Sequence, residues 1–507
     1  MSEHGEKQVV IIGGGPAGLT AAYELCKAGV PSVVLERDAV VGGLSRTVDY
    51  KGYLFDIGGH RFYTKVRAVE DVWREVLPGP EFLRRKRLSR IYYDKKFFYY
   101  PLRLASTLRN LGLVNSALIL LSYLRAQFRP ERDVKTFEQW VTNRFGRRFY
   151  RTFFKTYTEK VWGVPCHEIT AEWAAQRIKD LSLPAALKSL FTKRAKNKRG
   201  EIIKTLIEEF DYPARGPGMM WERMAKLVER QGSRVRVGAG VEKIHWTRGR
   251  VEGVEVLTEA GRETVRGSHF ISSMPVRELV RKLAPAPTRE VLDAAESLRY
   301  RDFLTVVLVV NRPEVFPDNW IYIHDPEVKM GRIQNFKNWS PQMVADPSKT
   351  CLGLEYFCFE GDGLWQSSDE ELLALGRREL GRLGLVREGE VEDGTVLRVR
   401  KAYPVYDSTY REALKVVRRF LSDLPNLQLV GRNGMHKYNN QDHSMLTAML
   451  AVKNILGARH DLWEVNTDQE YLEELHERGD AAAADLARLA STQPRVPERV
   501  GARAVTS

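Results

Sequence analysis

Three glycines and one acid supply the first chemistry legible in the chain. Gly13, Gly15 and Gly18 stand in VVIIGGGPAG with G-x-G-x-x-G spacing, and a second apolar run, Pro31 to Leu35, ends in Glu36. The first glycine permits a tight turn, and the second lets a pyrophosphate reach the backbone. The third lets helix and strand pack closely, and an acid so placed can bond a ribose hydroxyl. A dinucleotide is what this spacing holds. Further on, FDIGGHRFYTK sets Gly58 and Gly59 before His60 and Arg61. A glycine pair lets backbone approach a flat ligand, to which His60 and Arg61 can donate hydrogen bonds. Near the C-terminus LQLV reads as a strand turned by Gly431. The helix after it is expected to start near Ser444, an N-cap residue that would aim free N–H groups at an anion.

The elements that must position these residues follow from periodicity. An apolar strand at Val9 leads into the helical pattern LTAAYELCKAG and then a second strand, the required order for a βαβ nucleotide unit. From Val66 to Asp211 the texture is helical, with a basic hairpin in LRRKRLSRIYYDKKFFYYPL. Leu111 to Leu124 is free of charge, lies between Arg109 and Arg125, and is too short to span a bilayer. It is expected to be a buried core helix, with a surface dipping into one leaflet as the alternative. KRAKNKRG from Lys193 reads as a basic loop. After Tyr212 come a helix, a hairpin with a third strand, and a β-rich stretch opened by LTVVLVV. A helix from Ser368 to Leu385 is expected to back that sheet.

Several segments carry a resemblance. ERDAVVGGLSRT, with Gly42, Gly43 and Arg46, resembles the glycine pair that lies along the cofactor diphosphate in FAD enzymes of the amine oxidase and protoporphyrinogen oxidase type. That resemblance implies FAD, with Glu36, Arg37, Gly43, Arg46, Gly59, His60, Gly431, Asn440, Gln441 and Ser444 around it and the Val241 backbone at the adenine. FFKTYTEKVWGVPCHEITAEWAAQRI resembles UDP-galactopyranose mutase. It implies Tyr157 and Trp162 lining a sugar and nucleotide site, and Arg177 holding a substrate phosphate. Arginine suits that role because its planar fork donates two parallel hydrogen bonds. Tyr403 and Tyr438 match tyrosines that contact the diphosphate in that family. The catalytic candidates are therefore His60, Arg177, Tyr403 and Tyr438. The chain also departs from the mutase pattern. Cys358 stands where a second phosphate arginine would fall, Tyr63 replaces a histidine and Asn440 an aspartate, leaving Arg332 or Arg61 to compensate.

The expected architecture is α/β: a discontinuous Rossmann-like FAD-binding domain (1–65, 212–285, 400–460), a helical substrate domain (66–211) and a β-rich substrate domain (286–399). A C-terminal extension (461–507) has a mobile tail. The expected activity is a flavin oxidoreductase moving a hydride at N5 on an anionic or lipid-like substrate. The alternative is a non-redox pyranose/furanose mutase with reduced FAD as nucleophile. Lys and Arg outnumber Asp and Glu, 79 to 65, a net charge of +14 that favours a small anionic substrate, such as a nucleotide-sugar or lipid-linked molecule, or an acidic membrane surface. The chain shows no nucleic-acid-binding motif. Four scattered cysteines without metal spacing argue against a zinc site or disulfide framework, and no metal is expected. With no signal-peptide pattern, the expected location is cytoplasmic, with peripheral membrane contact allowed.

Overall fold

The computed structural model describes residues 8–100, 102, 104–171 and 209–466. Arg177, the basic loop at Lys193 and the C-terminal tail lie outside them.

The N-terminal strand, Val9–Ile12, sits in the middle of a five-stranded parallel sheet. Its neighbours are His269–Ser272 on one side and Ser32–Leu35 on the other, with Leu427–Leu429 and Arg234–Arg236 at the edges. All four residues of Val9–Ile12 and of Ser32–Leu35 are buried, as parallel strands covered on both faces require. Helices Pro16–Lys27, Gly218–Arg230 and Gln441–Ile455 contribute to the same core, through Leu19, Met224 and Leu450 among others. The sheet thus draws on strands near both ends of the described chain. A four-stranded sheet (Gly261–Arg266, Arg250–Thr258, Gly240–Thr247, Leu283–Ala284) lies alongside in sequence.

The second large body is a seven-stranded sheet centred on Tyr300–Val310 and Thr350–Cys358. Every residue of Tyr300–Val310 is buried, and the period-2 rule divides them. Leu304, Val306, Leu308 and Val310 face a cluster with Leu372 and Leu380 of helix Asp369–Arg382. Phe303 and Val307 face the other way, toward Val399, Phe357 and Trp339. Burial of a Val or Leu side chain contributes about 1.5–3 kcal/mol. The helix begins where Ser368 caps it in a reciprocal box with Glu371 and ends at Arg382, so it backs the sheet as expected. The basic hairpin forms as Ser89–Tyr93 and Lys96–Tyr99, but it joins this sheet by parallel pairing of Ser89–Tyr92 with Trp320–Ile323.

Two expectations are corrected. Leu111–Leu124 is not a core helix. The helix Leu113–Phe128 buries only Ile119 and Ala126, and Leu113, Leu121 and Phe128 are 90%, 62% and 83% exposed. Freedom from charge does not decide which side of a helix faces the core. Ser444 is not an N-cap either. Helix Gln441–Ile455 is capped one turn earlier by Asn440 in a reciprocal box with His443, and Ser444 is buried within its first turn. An Asn and a Ser both cap well, and the box partner three residues on selected Asn440.

Candidate active site

The glycine turn is shaped by contacts with the rest of the fold. Gly13 has φ +103°, and a Cβ there would strike the Ser273 hydroxyl. A Cβ on Gly18 would run into the Gly13 carbonyl oxygen. Gly15 differs: it caps helix Pro16–Lys27 in extended conformation, and nothing lies within 3.7 Å of where its Cβ would be. Protein packing does not demand a glycine there, where a Cβ would make only ordinary contact with Gly43. The helix has Pro16 in its first turn, no side-chain cap and no acidic residue of its own in that turn, so its free N–H groups and positive dipole end face the turn. Such an N-terminus holds a phosphate.

Around this cradle the sequence candidates converge. Glu36 accepts from the Gly14 N–H at 2.6 Å and the Asp38 N–H at 2.8 Å, setting the rim of the turn. Gly42 donates to the Gly14 carbonyl at 2.9 Å, and Gly43 lies against Gly15. Arg46 pairs with Asp38 at 2.7 Å. Arg37 is largely exposed and lies within 3.5 Å of Asp38. A Cβ on Gly240 would touch Arg37, which puts Val241, at the start of strand Gly240–Thr247, beside the same rim. The Gly431 turn packs on Ala17 and is tied by its N–H to Thr447 Oγ1 at 3.0 Å. At the start of the following helix, both polar atoms of the Gln441 amide are buried without a hydrogen-bond partner among the described residues. Buried orphan amides are uncommon, and a polar ligand at this helix N-terminus would satisfy one.

A second group faces the β-rich body. Gly58 adjoins Arg332 and Glu355, and Gly59 adjoins Gln334 and Trp339. His60 donates through Nε2 to the Ile57 carbonyl at 2.7 Å. Burial, reinforced by the charges of Arg432 and Arg332, holds its pKa down at about 4, so the ring is neutral at pH 7. Arg332 bonds Glu355 through Nε at 2.8 Å, and Gln334 completes that carboxylate at 3.0 Å. Burial opposes the charge of Arg332, but Glu355 and the phenols of Tyr403 and Tyr157 more than offset it and raise its pKa. Tyr403 stacks on Tyr438 with centroids 5.5 Å apart, and Trp162 lies 6.2 and 6.1 Å from the two rings. Burial and the adjacent Tyr438 push the Tyr403 phenol up to about 12, keeping it a hydrogen-bond donor. Tyr157 stacks on His324 at 4.7 Å and meets Tyr322 edge-on.

Of the residues singled out in the sequence, Tyr157, Trp162, Arg332, Tyr403 and Tyr438 therefore gather at one place, with His60 on its edge. Arg177 cannot be placed, being outside the described residues. Cys358 is fully buried in its strand, and the guanidinium near it, Arg301, is spent on the carbonyls of Val161, Lys160 and Phe357. Arg61 keeps a buried Nη1 with no partner among the described residues, beside Arg87, Tyr322 and Tyr100. Sequence reasoning missed Glu355, His324 and Arg432. Glu355 had a signal: a lone acid inside the apolar run CLGLEYFCF. Arg432, whose Nε donates to Asn439 at 2.8 Å and whose guanidinium lies over both stacked tyrosines, stood unremarked beside Gly431. His324 had none.

A parallel sheet of nucleotide-binding topology, an uncapped helix N-terminus at its glycine turn and a cluster of arginine and aromatic side chains against a second sheet suit an FAD-dependent enzyme. The chain belongs to the flavin-containing amine oxidoreductase family, whose model matches residues 16–456. Among solved structures, reduced UDP-galactopyranose mutase superposes with TM-score 0.76 at 22% identity, covering 91% of this chain and 99% of that one. Putrescine oxidase with putrescine bound gives TM-score 0.59 at 17% identity over 89% and 99%. An L-amino acid oxidase of Crotalus durissus cumanensis is 45% identical over 69 residues, 14% of each chain. The chain thus matches about one-seventh of the length of that curated relative. The superpositions establish the fold, and the family model carries the flavin. FAD fits the residues present: the Gly15 cradle and helix N-terminus suit its diphosphate, and the Gln441 amide offers an unused donor and acceptor.

Proposed function

We propose that this flavoenzyme is an oxidoreductase whose substrate is a small anion, and that Arg332, Tyr403, Tyr438 and Arg61 hold its acidic group. The observation that carries this reading is Arg61, a buried guanidinium Nη1 with no partner among the described residues, one aromatic contact away from Tyr157 through Tyr322. Of the three guanidinium groups of Arg332, Arg432 and Arg61, Arg332 is the one paired with Glu355 among the described residues, so a protonated amine would be repelled where a phosphate or carboxylate is attracted. When bound, FAD supplies hydride exchange at its flavin ring.

The chain's own residues orient, charge and dry the site. Arg332 is pre-positioned by Glu355 and Gln334, so it needs no reorganisation when an anion arrives. The phenols of Tyr403 and Tyr438 donate to the same group. Tyr157, Trp162 and Tyr322 exclude water and strengthen those hydrogen bonds. His60, neutral and clasped to Ile57, holds the Gly58–Gly59 loop against Arg332.

A second reading, ring interconversion of a nucleotide sugar without net electron transfer, is favoured by the paired phenol face of Tyr403 and Tyr438 under Arg432. One experiment separates the two. The oxidised holoenzyme is mixed anaerobically with phosphorylated, carboxylated and amine substrates, and the reduced enzyme with nucleotide-diphosphate sugars. Bleaching of the flavin by an anionic compound with a two-electron-altered product supports the oxidoreductase. Pyranose–furanose conversion by the reduced enzyme supports the second reading. Bleaching by amines alone overturns both.

A further inference from the structure

The helix Leu113–Phe128 is turned inside out. At 100° per residue, Leu113, Ala117, Leu120, Leu121, Leu124 and Phe128 fall within one stripe roughly 100° wide, the width of a core-facing seam. Here that stripe faces solvent: Leu120 is 47% exposed, Leu121 62%, Leu124 40% and Phe128 83%. The opposite side, through Ile119 and Ala126, holds the helix to the protein. Isolated apolar residues on a surface need no explanation, but a contiguous row of this size marks an interaction site.

What covers it is indicated by the charge behind it. A cavity of about 500 Å³ lies against the helix flank that carries Asn115, Leu118 and Ser122. Its other wall includes Lys96, Arg147, Arg148 and Arg151, against a single acid, Asp94. Arg148 donates to Asn115 Oδ1 at 2.8 Å, and among the described residues none of these four cations has an acidic partner. Arg125 and Arg129 close the C-terminal end of the helix. A helix is about 10 Å across, and interfacial helices sink their apolar face about 5–10 Å into a leaflet. The cationic wall then stands at the level of the headgroup phosphates. The helix cannot cross: among the described residues none is long and apolar enough to span a membrane.

We propose that this face docks the enzyme on an anionic bilayer, with the leucine stripe in the leaflet and Arg147, Arg148, Arg151 and Lys96 on lipid phosphates. The stripe and the cationic wall are both needed, because a protein partner or second copy would satisfy the first without calling for the second.

The test is sedimentation of the full-length holoenzyme with vesicles of phosphatidylcholine alone or of phosphatidylcholine and phosphatidylglycerol at 3:1, with no substrate present. The protein is expected to pellet with the anionic vesicles and to be released as salt shortens the screening length. Arg147→Glu/Arg151→Glu should weaken binding by at least about fivefold per charge. Leu121→Glu/Leu124→Gln should abolish it while flavin content and thermal stability stay unchanged, since those side chains are exposed. Failure to pellet, equal binding by the Leu121→Glu/Leu124→Gln variant, or a wild-type dimer in light scattering that this variant splits into monomers without any vesicle binding would each overturn the proposal.

Discussion

Tyr403 and Tyr438 lie face to face, 5.5 Å between centroids and 11° between planes, although one ends a strand of the seven-stranded sheet and the other follows the Gly431 turn of the nucleotide-binding body. Their stack is where the five-stranded and seven-stranded bodies meet. Arg432 lies over both rings, 5.4 and 4.9 Å from their centroids.

Removing only the hydroxyls should therefore separate packing from binding. Tyr403→Phe and Tyr438→Phe keep the stack, and unfolding temperature should change little. Each lost hydrogen bond to an anion should weaken substrate affinity by about 1.5–3 kcal/mol, roughly tenfold to 150-fold. Steady-state KM for the substrate found in the anaerobic screen checks this, and an unchanged KM would leave the phenols a purely structural role.

Gly15 and Gly18 should fail in different ways. Gly15→Ala has room and an ordinary backbone conformation, so the apoprotein should be as stable as the parent while losing flavin, read as the visible absorbance per protein after gel filtration. Gly18→Ala forces a Cβ onto the Gly13 carbonyl, so the apoprotein itself should unfold at lower temperature. Equal flavin retention in Gly15→Ala would show that the cradle is not where the diphosphate lies.

The Arg332–Glu355 pair is buried, with side chains 17% and 0% exposed. Arg332→Met strands a carboxylate and should destabilise the fold by about 3–5 kcal/mol, while adding Glu355→Gln should recover much of that loss without restoring substrate binding. Denaturant midpoints for the two variants measure the coupling. Additive losses would mean the pair does not act as a unit.

Asp56 gives the fold a pH dependence of unusual sign. Burial pushes its pKa up to about 7, against the hydrogen bonds from Tyr212 and Thr47. In the unfolded chain it titrates near 4. A carboxyl with a raised folded pKa binds its proton more tightly when folded. Its contribution is fully present below about pH 4 and is lost as pH rises to about 7, at up to about 1.4 kcal/mol per unit. Asp56→Asn should flatten the unfolding temperature between pH 5 and 7.5 relative to wild type. Parallel profiles would assign the carboxyl an ordinary pKa.

The sequence by itself determined the nucleotide half. Gly13, Gly15, Gly18 and Glu36 act within one βαβ unit, where spacing along the chain equals spacing in space, and the resemblance around Gly43 pointed to FAD. Tyr157, Trp162, Tyr403 and Tyr438 were legible as candidates, but nothing in their spacing says they touch. Tertiary structure alone decided the rest. Glu355 reaches Arg332 because two strands pair antiparallel in one register, Arg61 Nη1 is left without a partner among the described residues, and helix Leu113–Phe128 turns its leucines outward. Periodicity fixes which residues share a face, while only the packing of distant segments decides which face meets water, a ligand or a membrane.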